Sequence, residues 1–200
     1  MVKTSLPLVE TSRMTDTTEQ ETFWREDFGN DYTDRNSNLS SIASNVAFFS
    51  KILGHAQGVG SALELGSNIG LNPMALRQLL PESVLSAVEI NGKAASILRR
   101  NLPEVDLFLT SILDFRPTAR WDLVFMHRIS LRYVLVAEYY NPTPAEVVYR
   151  GHTGKLFKRD FAGEMMDRFP DLFLAGYGFA YHRDPDFPQD DITWFLMEKR

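Results

Sequence analysis

Between residues 61 and 126, short apolar runs alternate with amphipathic stretches, and this alternation leaves the chain few folds to choose from. "SALELG" (61–66), "LSAVEI" (85–90), "VDLFLTSIL" (105–113) and "WDLVFM" (121–126) read as strands. "NPMALRQLLP" (72–81) and "GKAASILRRNLP" (92–103) lie between them and read as helices. The first has Asn72 as an N-cap and Pro73 in its first turn; the second stops near Asn101 and Pro103. Alternating strands and helices, with the strands apolar almost throughout, predict a parallel sheet covered on both faces. "RYVLVAEYY" (132–140) adds a fifth strand. Beyond it, "RDFAGEMMDRFP" (159–170) reads as a helix. Two long aromatic runs, 172–184 and 192–200, are joined by "PDFPQDD" and predict an antiparallel pair at the sheet edge.

The fold expected is α/β: a Rossmann-like three-layer sandwich, mostly parallel, with an antiparallel C-terminal strand pair. Two hundred residues make one domain, placed at 21–200. Residues 21–58 form its helical cover, including a helix over 39–54 with Leu39, Ile42, Val46, Phe49, Ile52 and Leu53 on one face. Residues 1–20 are polar and Thr-rich, without periodicity, and read as a mobile tail. They contain no apolar h-region of a secretory signal, and no apolar run approaches the roughly 18 residues of a membrane span. There is no cysteine, which removes thiolate chemistry and Cys-based metal sites and fits a cytoplasmic protein. A net charge of −5 gives no bulk attraction for nucleic acid.

The functional signal starts at "ALELGSNIGLN" (62–72). A strand ending in a glycine turn that opens into a helix makes a crevice at the carboxyl edge of a parallel sheet. Gly66, Ser67, Asn68 and Gly70 form that turn. Nineteen residues after Gly70 the second strand ends on Glu89, next to Ile90. An acid there accepts hydrogen bonds from ribose hydroxyls. The turn is E-x-G-x-x-x-G rather than G-x-G-x-x-G. Glu64 beside it would repel a pyrophosphate and suit a ligand with an ammonium and a sulfonium. That favours S-adenosylmethionine over NAD. After the third strand, Ser111 and Asp114 are placed to meet an adenine amino group, and Ile112 to cover the ring.

The order "LELGSNIGLN … AVEINGKAASIL … SILDF … WDLVF" resembles class I S-adenosylmethionine-dependent methyltransferases. Three further runs resemble the pseudaminic acid biosynthesis-associated methylases: "FWREDFGNDYTDRN", "VAEYYNPTPAEVVYRGHTGKLFKRDFAGEMMDRFPDL" and "YGFAYHRDPDFPQDDITWFLMEKR". The resemblance implies a methyltransferase associated with a bacterial nonulosonic acid pathway. The family rests on pathway association and does not by itself set the acceptor; the acceptor expected is an acidic sugar or a sugar nucleotide, methylated at oxygen. Resemblance to related methyltransferases also implies that the segment before the first long helix folds over the cofactor, with Tyr32 and Arg35 contributing and Arg35 pairing its carboxylate.

One departure stands out. Only five residues separate Met126 from Arg132, whereas a parallel crossover normally takes a dozen or more. The expectation is that a segment is deleted or missing from the sequence as written, or that an antiparallel hairpin replaces the crossover. His127 borders the break and is set aside as a catalytic residue.

His152 and His182 are the candidate bases, because imidazole titrates near working pH. Asp184, Asp190 and Asp191 are alternatives. Arg150, Lys155, Lys158 and Arg159, with Tyr139 and Tyr140, are the candidate acceptor-binding residues; the cations would hold an acidic group. Asp190, Asp191 and His182 match no metal-ligand spacing, so no metal is expected. Two other readings remain open: a protein that binds the cofactor without turnover, and an NAD(P)-dependent oxidoreductase. The motif "NPTP" (141–144) has the wrong spacing and place for methylation of a base amine.

Overall fold

The computed structural model describes residues 17–200 except Ser37, Leu39, Ser40 and Phe125. Most of the expected tail therefore lies outside the described residues, as does Leu39. From Thr18 onward the tail expectation is corrected. Thr18 caps α1 (Glu19–Arg25) in a reciprocal capping box with Glu21, which satisfies two orphan donors at the helix start. α2 (Asp27–Arg35) and α3 (Ser41–Leu53) follow.

The chain then forms β1 (Ser61–Leu65), α4 (Leu71–Leu79), β2 (Val84–Glu89), α5 (Gly92–Asn101), β3 (Asp106–Leu109), β4 (Trp121–Val124) and β5 (Ser130–Glu138). A hairpin of β6 (Ala145–Tyr149) and β7 (His152–Lys158) comes next. α6 (Phe161–Arg168), β8 (Leu172–Phe179) and β9 (Thr193–Lys199) complete it. Seven strands make one sheet in the order β3-β2-β1-β4-β5-β9-β8. β1 to β5 are parallel, and β9 is antiparallel to both β5 and β8. The chain moves outward from β1 to β3 and then returns to β4 on the other side of β1. That reversal opens a crevice at the carboxyl end of β1, where ligands bind in such sheets.

Strand alternation sorts β5 onto two cores. Tyr133 and Leu135, with Leu196 and Trp194 of β9, pack under Phe49 and Ile52 of α3. Val134, Val136 and Met197 pack under Ala162 of α6. A third cluster joins Leu63, Val88, Trp121 and Val124. There the Trp121 indole N–H donates to the buried Ser86 hydroxyl at 2.9 Å, so the polar edge of the ring is satisfied.

The short connection after β4 is not the antiparallel hairpin that was one of the expectations. β4 and β5 pair in parallel, Trp121 opposite Ser130 and Val124 opposite Val134, with a bulge between. A 3₁₀ turn over His127–Ile129, entered from Met126, leads back into β5. The return needs only about 10 Å along the strand and about 5 Å sideways, within the roughly 17 Å that five residues can span. The dozen-residue rule applies to crossovers that carry a helix, and this one has none. Side chains pin it. The His127 ring stacks on Phe169 at 4.0 Å and its Nε2 lies 2.8 Å from Asp171, while Lys199 donates to the backbone carbonyls of His127 and Ser130.

Among the described residues no helix is long and apolar enough to cross a membrane. His127→Ala removes both the stack and the hydrogen bond, and is expected to lower unfolding stability by about 1–3 kcal/mol. Urea denaturation checks this; an unchanged midpoint would mean that the link is held by other contacts.

Candidate active site

β1 delivers Glu64 to the crevice, and burial sets its chemistry. Glu64 is 8% exposed. Its Oε1 accepts from Asn72 Nδ2 at 2.6 Å, while its Oε2 is buried with no hydrogen-bond partner. Burial pushes the carboxyl up to about 7; the Asn72 hydrogen bond and the nearby Ser67 hydroxyl, which itself donates to the Glu64 backbone carbonyl, oppose this, and the Glu89 charge adds to it. Asn72 is not the N-cap expected from sequence. Gly70 occupies that position, and Asn72 lies inside α4 with its side chain turned to Glu64. Behind it runs a chain of amides. Gln189 donates to Asn45 at 2.6 Å and Asn45 donates to Asn72 at 2.9 Å, so four elements meet at one carboxylate.

The turn after β1 is left-handed at Gly66 (φ 79°), Asn68 (φ 46°) and Gly70 (φ 87°). The two glycines have different reasons to be glycine. A Cβ on Gly66 would meet nothing within 4 Å, so its backbone is open to a ligand. A Cβ on Gly70 would lie 2.8 Å from Leu98 Cγ, so Gly70 serves the packing of α5. Gly66 and Ser67 both donate to the Val88 carbonyl, which ties the turn to β2.

Glu89 ends β2 and is braced by two backbone donors, Asn68 N–H at 2.6 Å and Asn91 N–H at 2.7 Å. Burial still raises its pKa. A carboxylate has about four acceptor positions, so two are left for hydroxyl donors. Ile90 follows directly. At the end of β3, Ser111 is buried and accepts from the Leu113 N–H, and it helps hold the Glu21 carboxyl of α1 below its usual range. Ile112 is 41% exposed and Asp114 lies on the same turn, through a backbone bond to Ser111.

The N-terminal helices close over this edge. Asn91 Nδ2 donates to Trp24 O, Arg25 O and Asn30 Oδ1, and the Thr33 hydroxyl reaches Asn68. Tyr32 packs on Trp24, and burial pushes its phenol up to about 12. A cleft of about 510 Å³ results, lined by Tyr32, Asn45, Glu64, Gly66, Asn68 and His182 among others. Arg35 is not among its lining residues; it is exposed over the Phe28 ring at 5.4 Å.

The structure separates the remaining candidates. His182 lines the cleft with Asp190, and its Nδ1 lies 2.8 Å from Asp191. His152 instead packs edge-on against the stacked rings of Phe23 and Phe28, pinning the β6–β7 hairpin to α1 and α2. Tyr139 and Tyr140 are neighbours on an extended chain and face opposite ways. Tyr139 lies under Lys158, and Tyr140 rests on Phe195.

The basic run does not assemble into an anion site. Arg150 (φ 50°) and Gly151 (φ 84°) form the hairpin turn, with Arg150 over Tyr149. Lys155 pairs with Glu19 at 2.7 Å, and Arg159 pairs with Glu164. Lys155 and Lys158 are an odd number of strand positions apart, so only one can face Tyr139. Sequence reasoning passed over Asn45, Asn91, Thr33 and Gln189. Asn45 left one trace, a polar residue within the apolar stripe of α3.

No protein-family model matches the sequence, and no curated protein matches it significantly. Solved structures do match in fold. Magnesium protoporphyrin IX methyltransferase from Synechocystis PCC 6803, with bound S-adenosylmethionine, is 10% identical with a TM-score of 0.61, over 93% of this chain and 100% of that one. The plantazolicin methyltransferase in complex with S-adenosylhomocysteine is 12% identical with a TM-score of 0.60, over 90% and 94%. An amino pentose methyltransferase from Micromonospora echinaspora, involved in calicheamicin biosynthesis, is 10% identical with a TM-score of 0.54, over 86% and 96%. The fold is that of the S-adenosylmethionine-dependent methyltransferases.

The buried, unpartnered Oε2 of Glu64 fits a cationic donor. Its folded-state pKa lies above the ordinary carboxylate value of about 4.3, so the folded state holds the extra proton. The stability this contributes is present below about pH 4.3 and is lost as pH rises through about 7. Glu64→Gln is expected to remove that falling limb in thermal melts taken from pH 4.5 to 8; an unaltered profile would mean that Glu64 is already ionised.

Proposed function

We propose that the chain is a methyltransferase that uses S-adenosylmethionine and acts on a small hydroxylated acceptor. The observation that carries this reading is the pairing of two buried carboxylates at successive strand ends, with Glu64 short of one partner and Glu89 braced by backbone donors. Glu89 would hold the ribose hydroxyls and Glu64 Oε2 the ammonium. Ser111 and Asp114 would meet the adenine amino group, with Ile112 against the ring. When bound, the cofactor supplies a methyl group on a positively charged sulfur. The protein's part is alignment, exclusion of water and removal of the acceptor proton. Tyr32 and the α1–α2 cover exclude water from one side. The likeness to methyltransferases whose structures hold S-adenosylmethionine or S-adenosylhomocysteine supports the cofactor choice.

For the acceptor, the sequence resemblance supports a sugar or sugar nucleotide of a nonulosonic acid pathway, methylated at oxygen. Likeness in fold to an amino pentose methyltransferase is in keeping with a sugar. An acidic group on such an acceptor would have Lys158 as its partner, since Lys155 and Arg159 are engaged elsewhere. A second reading, binding without turnover, is favoured by the five-residue return after β4. That return leaves no long loop beside the end of the strand. It predicts cofactor binding with no methyl transfer to any pathway intermediate.

Calorimetric titration tests the cofactor reading. S-Adenosylhomocysteine is expected to bind and NADH is not; binding of NADH alone would replace this reading with a dehydrogenase. Glu89→Ala should weaken S-adenosylhomocysteine by about 1–3 kcal/mol, the scale for stranding polar partners. Unchanged affinity would take Glu89 out of the ribose role.

A further inference from the structure

The cleft carries chemistry that cofactor binding does not use. One wall is the loop between β8 and β9, which contributes His182, Pro188, Gln189 and Asp190. Within it Asp191 grips His182 twice. Its carboxylate receives the His182 backbone N–H at 3.1 Å and faces the ring Nδ1 at 2.8 and 2.9 Å. An ionised carboxylate only accepts, and His182 holds the Asp191 carboxyl below its usual range. In the neutral imidazole, Nδ1 therefore carries the proton and Nε2 keeps its lone pair. Nε2 has no hydrogen-bond partner among the described residues.

The charge of the cleft also limits its guest. Glu64 and Asp190 line it, and among the described residues no Lys or Arg does. Glu64 is matched by the ammonium of the cofactor, which leaves Asp190 for the acceptor. Gln189, beside Asp190, is fixed to Asn45 and so anchors this loop to the amide chain behind Glu64.

We propose that the β8–β9 loop is the acceptor subsite: His182 takes the proton of an acceptor hydroxyl, Asp191 positions His182, and Asp190 receives an ammonium on the same molecule. The reacting end of the acceptor is then an amino alcohol or amino sugar, not a carboxylate or phosphate. This rests on the methyltransferase reading. In the step, the hydroxyl O–H bond breaks and its proton passes to His182 Nε2. The acceptor oxygen forms the new bond to the methyl carbon, and the carbon–sulfur bond breaks with its electron pair going to sulfur. An acid group at the reacting end would meet Asp190 and Asp191 and be repelled. One farther along the molecule would not.

Imidazole nitrogen NMR on the full chain, ¹⁵N-labelled at histidine and saturated with S-adenosylhomocysteine, tests this. His182→Gln identifies the His182 signals. They are expected to report the Nδ1–H tautomer, and Asp191→Asn to switch it to Nε2–H. D-Glucosamine, D-glucose and D-glucuronate are then titrated as probes. Glucosamine is expected to shift the His182 signals at the lowest concentration and glucuronate at the highest, and Asp190→Asn to abolish the preference for glucosamine over glucose. The proposal is overturned by an Nε2–H tautomer in the unaltered chain, by glucose or glucuronate binding as well as glucosamine, or by signals that no probe moves. Failure of S-adenosylhomocysteine to bind, seen separately by calorimetry, would instead bring down the methyltransferase reading.

Discussion

A carboxylate buried at the end of a central strand is costly unless something balances it. Glu64 has one oxygen bonded and one without a partner, and much of the structure around the cleft is arranged about that imbalance. Asn72 holds the bonded oxygen, Asn45 holds Asn72, and Gln189 holds Asn45. Through these amides, α4, α3 and the β8–β9 loop are oriented by one side chain of β1. The other oxygen stays buried and unpartnered.

The two sides of the cleft are built differently. The side at the ends of β1 and β2 rests on backbone: left-handed turns at Gly66 and Asn68, and amides that fix Glu89. The other side is bounded by pieces outside the parallel strands, Tyr32 of α2 and the β8–β9 loop, and the β6–β7 hairpin packs on α1 and α2. The hairpin and these helices hold each other through His152, edge-on to the stacked Phe23 and Phe28, and through Lys155 on Glu19. His152 packs on aromatic rings, while His182, held by Asp191, lines the cleft.

The strand–helix order and the Glu64, Gly66 and Glu89 positions were legible in the sequence because each depends on local signals: an apolar run, a glycine turn, an acid where the run stops. What failed depended on partners far along the chain. "RGHTGKLFKRD" looks like one basic cluster, yet strand alternation and the distant Glu19 and nearby Glu164 divide it. The hairpin had a local sign that went unread, Arg-Gly at 150–151 between two runs rich in β-branched and aromatic residues. Tyr139 and Tyr140 are adjacent in sequence, and adjacency on an extended chain is what separates them. The parallel pairing of β4 and β5 has no local sign, and the reach of five residues permits it. The amide chain to Glu64 joins residues 45, 72 and 189, and no spacing rule connects them.

A crystal structure with S-adenosylhomocysteine bound tests the central claim most directly. The account predicts the amino group of the ligand within hydrogen-bond distance of Glu64 Oε2 and both ribose hydroxyls on Glu89. A ligand lying elsewhere in the cleft, with Glu64 Oε2 still unpartnered, would contradict it.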